Sequence, residues 1–428
     1  MNFILKRLII NISISILIFL SIPYIILSRK RKKIILFGCI PMINYKYWKL
    51  AIEKVNYNAK TLVIDYYFIH KKEDFDIYFF ELIPKYLSFN KKINNSILGP
   101  FFAFLFILKN ASVLNTSFLS GALYNTMFWR LELLIYKFYG IKILISGYGG
   151  DFYVYSKVID KSLTHSLLMS YKEPSRHERT IQARIDFLIN KADIILNGIQ
   201  LDGIGRWDML PVSFITLENS MIGNLKSKKS DIITIVHSPN HRGFKGTEFI
   251  IKAIEELKRE GFKINFKLLE KLPNDKVLKI LNEEADILVE QIIFTGYALS
   301  GIEGMASGIP VLSSLENENY TKPLRRYSYL NECPILSTSP ENIKDNLKLL
   351  ILNEQLREEL GCLGIEYVKK YHSEKSAQYL FGKIYNQLLN NIDEDLINMY
   401  HPLKSEYVKK NYIKTPLSNN CYVNEKTN

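Results

Sequence analysis

Cysteine is scarce: Cys39, Cys333, Cys362 and Cys421 stand far apart, and no two form a C-x-x-C pair. That spacing excludes a zinc ribbon and a disulfide framework, and it suits reduced thiols in a cytoplasmic compartment. Zinc-finger spacing, an RNA-recognition signature and a dense basic helix are also absent. The formal charge of +13 therefore does not point to nucleic acid. Two explanations of a basic chain remain, an anionic membrane surface or phosphorylated substrates. No repeat of the solenoid or propeller kind recurs along the chain.

What is present describes a folded protein. The 428 residues suffice for two domains, and 47% hydrophobic against 23% charged suits a packed core rather than disorder. From Leu8 to Leu27 the chain carries no charge, a run close to the roughly 20 residues that cross a bilayer as a helix. Lys6 and Arg7 precede it, and Arg29, Lys30, Arg31, Lys32 and Lys33 follow, so the heavier positive flank is expected on the cytoplasmic side. No small-residue cleavage site follows, which argues against a removed signal peptide. A single-pass anchor over residues 8–28 is expected, with the rest of the chain in the cytoplasm. The second apolar run, Ile97 to Leu108, is too short to span and carries Pro100; it reads as a buried core segment.

After the basic block, strands alternate with helices, which predicts parallel, doubly wound sheets. Expected strands are Ile34–Gly38, Leu62–Tyr66, Ile141–Ser146 and Asp193–Leu196, with helices near Tyr47–Val55, Met127–Tyr139 and Arg179–Lys191. A polar, basic break at Leu217–Asp231 separates a second alternation. Its strands are Ile232–Val236, Ile264–Leu269, Ile287–Glu290 and Ile309–Ser313. Its first helix, Thr247–Glu260, is expected to bury Phe249, Ile250, Ala253, Ile254 and Leu257, with Thr247 as N-cap and Gly261 as stop. The chain thus divides into a first domain over 34–216, a second domain over 232–375, a C-terminal helix over 376–392 and a polar, poorly ordered tail over 400–428.

Ligands of open parallel sheets sit outside the carboxyl ends of the strands. Two segments of the second half fall there. In His237-Ser-Pro-Asn-His241-Arg242-Gly-Phe-Lys245-Gly246-Thr247, two cations and a glycine stand at a helix N-terminus, where unpaired N–H groups and the dipole favour a diphosphate. In Ser300-Gly-Ile-Glu303-Gly-Met-Ala-Ser-Gly-Ile-Pro-Val311, a carboxylate can accept hydrogen bonds from a ribose diol. Ser300 and Glu303 also match a capping box, in which Glu303 would only close the helix start. A third segment, Gly147-Tyr-Gly-Gly-Asp151, follows a strand of the first half; its backbone N–H groups and Asp151 would face the same cleft, and it reads equally as a plain turn. Asp74-Phe-Asp76 has the D-x-D form of a metal site but lies in a charged run and reads as a solvated loop.

The run from His237 through Lys245-Gly246-Thr247, with Ala285-Asp286 before a strand and Glu303-Gly-Met-Ala-Ser-Gly-Ile-Pro-Val311, resembles the donor domain of the retaining GT-B glycosyltransferases. That large group builds bacterial lipopolysaccharide, capsule and related surface polysaccharides. The resemblance is specific over Asp231–Leu389 and covers mainly the strand–helix order over Ile34–Asn219. It implies two Rossmann-like domains facing a cleft, a nucleotide-diphosphate sugar as donor, a lipid-linked or polysaccharide acceptor at the membrane, and no metal or further cofactor. Arg242 and Lys245 take the diphosphate and Glu303 the ribose. His237, Gly246, Thr247, Ser300 and Glu290 fall around the same donor. The family's usual second Glu, eight residues before the ribose Glu, is Thr295 here; Glu290 lies a little upstream. Two rival readings share this fold: a catalytically inactive homologue serving as scaffold or glycan-binding subunit, and a nucleotide-sugar epimerase.

Overall fold

The computed structural model describes residues 3–27, 34–67, 70–147, 149–199, 202–223 and 231–423. The basic block 28–33 and Tyr148 lie outside the described residues.

Two parallel sheets form the scaffold. The first has six strands in the order β3-β2-β1-β4-β5-β6. These are β1 Ile34–Cys39, β2 Ala59–Val63, β3 Ile77–Tyr78, β4 Ala111–Thr116, β5 Lys142–Ser146 and β6 Ile194–Leu196. The second has five, in the order β11-β10-β9-β7-β8. They are β7 Ile233–His237, β8 Ile264–Leu268, β9 Ile287–Thr295, β10 Val311–Ser314 and β11 Leu336–Ser337. In both, sequential βαβ units wind outward from a central strand, so the inner strands are covered on two faces. That is why β1 reads Ile-Ile-Leu-Phe-Gly-Cys with every residue buried.

Helices supply the cover: α1 Phe3–Leu27, α2 Ile43–Glu53, α3 Gly99–Asn110, α4 Trp129–Phe138, α5 Lys161–Ser170, α6 Glu178–Lys191, α7 Thr247–Arg259, α8 Leu299–Ala306, α9 Glu354–Tyr371 and α10 Glu374–Asn390. The apolar run with Pro100 is α3, a core helix that continues the helical turns before it. Where α8 ends, α9 passes so close that a Cβ on Gly361 would lie 2.2 Å from the Gly308 carbonyl oxygen. Helix α10 returns to the first sheet. Phe381 packs edge-on against Phe37 at 5.7 Å and against Trp48 at 5.1 Å, and Gln378 donates to the Ala51 carbonyl.

α1 is one apolar helix whose segment Leu5–Ile26 is long enough, by length and composition, to cross a membrane. It lies against the first domain. Asn11 Oδ1 accepts from the Met127 backbone N–H at 3.0 Å, and the Tyr139 hydroxyl donates to the Ile25 carbonyl at 2.9 Å. Ile14, Ser21 and Ile25 are buried in that contact, while Ile16, Phe19 and Leu20 face outward.

Three local expectations are corrected. Phe249 is 49% exposed, because the buried stripe of α7 runs through Thr247, Ile250, Ala253, Ile254 and Leu257 instead. Gly246, not Thr247, occupies the cap position of α7, and it makes no side-chain cap. The tail is ordered to Val423. Its segment Leu396–Ile413 straps the second domain, with Tyr407 stacked on Tyr379 at 4.0 Å and Tyr329 on Tyr371 at 3.8 Å beneath. Strands β12 Leu417–Ser418 and β13 Cys421–Tyr422 follow, and the Asn420 carbonyl accepts from Ser337 N–H on β11.

Candidate functional site

The second sheet presents its carboxyl edge to the first domain. β7 ends at His237, and a single helical turn, Arg242–Lys245, leads through Gly246 into α7. Gly246 is required twice over. Its φ of +76° is left-handed, and a Cβ there would meet Ile292 at 2.5 Å. This close passage drives Lys245 inward, where it is only 5% exposed. Its ammonium donates to Glu290 Oε1 at 3.2 Å and to Gln291 Oε1 at 2.8 Å.

Glu290 holds the neighbouring βα junction. Its Oε1 also accepts from the Ala298 backbone N–H and the Ser300 hydroxyl, both at 2.9 Å. Ser300 is thereby spent on Glu290, and the Ser300–Glu303 capping box does not form; the sequence window could not show that a residue ten positions upstream competes for the hydroxyl. The other oxygen, Oε2, is buried without a partner and lies 2.3 Å from where a Cβ on Gly301 would stand. Glu290 is thus a brace that links Lys245 to the start of α8.

Glu303 points from α8 toward the interdomain side, 3% exposed, and accepts from Asn274 at 2.9 Å. Burial, with Glu290 adding repulsion, pushes its carboxyl up to about 7. Across from it stands Tyr47 of α2, nearly buried, whose hydroxyl is pushed well above the ordinary value by burial and then by the Glu303 charge. Tyr47 and Asn274 are members of this site that sequence reasoning missed. The signal for Tyr47 was its place just after the first strand of a parallel sheet, at the ligand-binding edge.

Three other residues stand differently from the expectation. His237 is fully buried with both ring nitrogens engaged, Nδ1 to the Val289 carbonyl at 2.7 Å and Nε2 to Thr247 Oγ1 at 2.9 Å. Burial lowers its pKa to about 4, so it is a neutral brace between β7, β9 and α7, and Thr247 shares that task. Arg242 turns outward, bridging Glu248 at 2.8 Å and Glu270 at 3.0 Å. Thr295 closes β9 with 3% exposure, five residues beyond the expected strand end.

Asp151 follows β5 at the carboxyl edge of the first sheet, in a short turn Gly149–Asp151, and its charge is felt by Tyr67 and Arg184. The D-x-D pair is occupied within its own domain: Asp76 accepts from Thr61 N–H and Lys49, and Asp74 from Lys46. The domains meet through α5, whose Met169 packs on Gly243, through Tyr171 against His241 at 4.5 Å, and through Asn317 donating to Asp160 at 3.0 Å.

Two Rossmann-like sheets facing across an interdomain junction define the GT-B fold. No model of a known protein family matches the chain, and neither does any curated sequence. Among solved structures it is similar to sucrose-phosphate synthase from Thermosynechococcus elongatus, at a TM-score of 0.55 and 13% identity, covering 85% of this chain and 100% of that one. It is also similar to the Anabaena protein HepE in complex with UDP, at a TM-score of 0.52 and 9% identity, covering 84% of this chain and 100% of that one. At these identities the likeness is one of fold.

Proposed function

We propose that the chain transfers a sugar from a nucleoside-diphosphate donor to an acceptor hydroxyl. The observation that carries this reading is the pairing of Lys245 and Glu303 at adjacent βα junctions of the second sheet, joined through Glu290. Lys245 has the charge to stabilise the diphosphate as it departs, with the N-terminus of α7 beside it. The Glu303 carboxylate has the geometry to accept from a ribose diol once Asn274 yields. Arg242 reaches the diphosphate only by exchanging Glu248 and Glu270 for it. With the leaving group stabilised by these cations, the reaction needs no metal, and the resemblance to the retaining enzymes supports retention through front-face attack. Asp151 and Tyr47, on the first-domain side, are assigned to the acceptor and the transferring sugar. UDP in the HepE structure supports a uridine donor as the first to try.

The acceptor is assigned to the cytoplasmic face of a membrane, held there by α1. The contacts at Asn11 and Ile25 lie about 21 Å apart along the helix at 1.5 Å per residue. An upright crossing would break one or both. We therefore favour α1 lying lengthwise between domain and lipid over the single-pass crossing expected from sequence.

A panel of nucleotide sugars, each added to detergent-solubilised protein and followed by thermal shift and by sugar transfer, tests this. Stabilisation by one donor, lost in Glu303→Ala, supports the reading. A folded protein that no donor stabilises refutes it. Thr295 in place of the family's second Glu favours the scaffold reading, and donor binding without transfer to any acceptor would establish that reading.

A further inference from the structure

At the foot of α1, two arginines flank one tryptophan, and the charge of a third reaches them. Trp129 opens α4 and is 7% exposed. The Arg130 guanidinium lies 4.1 Å from its ring centroid, and that of Arg184, on α6, lies 5.2 Å from it. Arg7 arrives on α1. One turn along the same face, Asn11 is hydrogen-bonded to Met127, two residues from the tryptophan. Burial first, and the Arg7 charge second, lower the pKa of Arg184.

Like charges in this number repel unless an anion joins them. Arg176, Arg206 and Arg242 each pair with a carboxylate, whereas Arg184 meets a backbone carbonyl. Glu132, close in sequence, is consumed by the Ala122 and Leu123 N–H groups and the Tyr136 hydroxyl. Asp151 is the acidic group whose charge Arg184 senses. Arg184 gives one Nη2 donor to the Tyr124 carbonyl at 2.6 Å, and its buried Nε has no partner. Guanidinium forks match phosphate oxygens two at a time, and an indole flanked by cations suits the boundary between water and hydrocarbon. Beside the cluster runs the outward face of α1, with Ile12, Ile16, Phe19 and Leu20 at 51%, 54%, 72% and 69% exposure.

We propose that Arg7, Arg130 and Arg184, set around Trp129, bind the phosphate of a membrane lipid whose apolar tail runs along α1. Asp151, at the carboxyl edge of the first sheet, is near enough for Arg184 to feel its charge, so a group carried on that phosphate would enter the cleft from the first-domain side. The binding site stands by itself; its assignment to the acceptor substrate rests on the glycosyl-transfer reading above.

The test is flotation of the full chain with phosphatidylcholine vesicles, plain or doped with phosphatidic acid. Wild type should prefer the doped vesicles by about tenfold, the effect of one or two charge-assisted hydrogen bonds. Arg184→Gln, and separately Arg130→Gln at an exposed position that the fold does not need, should abolish that preference and leave binding to plain vesicles unchanged. Arg184→Lys should restore part of it. Equal binding to both vesicles by wild type, or a preference that survives both Gln variants, overturns the site. Soluble glycerol phosphate that strips the protein from doped vesicles as effectively as lipid would overturn the lipid tail as part of the ligand. Donor thermal shifts on the same variants read the second sheet alone. Their absence in wild type with the vesicle preference intact would sink the glycosyl-transfer reading and leave this site standing.

Discussion

Removing Lys245 should cost stability as well as activity, and the two losses are separable. The ammonium is 6% exposed and the Glu290 carboxylate beneath it not at all. In Lys245→Ala, Glu290 keeps the Ala298 N–H and the Ser300 hydroxyl on Oε1, loses its only cation, and still has no partner on Oε2. Breaking a buried pair from one side typically costs about 3–5 kcal/mol. The two surviving donors argue for the low end, about 3 kcal/mol. For a unit the size of the second domain that corresponds to a fall in Tm of roughly 6–12 °C. Glu290→Gln in the Lys245→Ala background removes the unpaired charge while an amide remains to accept from Ser300, so most of the loss should return. The assay is urea and thermal unfolding of the four proteins of this cycle, without ligand, alongside sugar transfer. Transfer should stay low in the double variant although its stability recovers. A Lys245→Ala protein as stable as wild type, or a double variant less stable than the single one, would refute the reasoning.

Donor binding should depend on pH through Glu303. Its folded-state pKa, raised to about 7, means that the carboxylate is protonated below that pH and charged above it. A charged carboxylate accepts from a ribose diol more strongly, so donor Kd should rise by up to about tenfold per unit as pH falls below 7, and Glu303→Gln should flatten the profile. By linkage the same raised pKa favours the folded protein below the ordinary Glu pKa, and the benefit is lost as pH rises through 7, readable by unfolding at several pH values. Gly361→Ala should destabilise by about 2 kcal/mol or more, because the added methyl meets backbone at Gly308 rather than a yielding side chain; urea unfolding measures it. Ending the chain at Asn391 should uncover Tyr329, Tyr371 and Tyr379 and lower Tm by several degrees, seen in a thermal scan, whereas a loose tail would leave Tm unchanged.

The alternation of apolar runs and glycine turns was enough to place both sheets, and to set Lys245, Gly246 and Glu303 at the carboxyl edge of the second. What sequence reasoning missed was settled by contacts distant in the chain. Ser300 chose Glu290 over Glu303, and His237 and Thr247 spent their polar atoms on each other, because a buried hydrogen-bonding group takes whichever partner the packing brings. Arg242 carries the right charge for a diphosphate, but Glu248 and Glu270 surround it. The strap was invisible because its anchors, Tyr400, Tyr407, Val408 and Ile413, have no regular period; they fit a surface made by Tyr329, Tyr371 and Tyr379. The arginine cluster draws on three helices, and no local motif announces such a site.

The return of α10 bears on how the molecule is made. Phe37 and Trp48 are made well before Phe381, which completes their packing and follows only after the whole second sheet. At the usual pace of elongation the first sheet waits on the order of ten to forty seconds after β6 for that cover. During that interval the aromatic face around Phe37 and Trp48 lacks its cover on the nascent chain. A premature stop before α10 would therefore yield not a shorter working protein but two unfinished halves, each open where the other should close it.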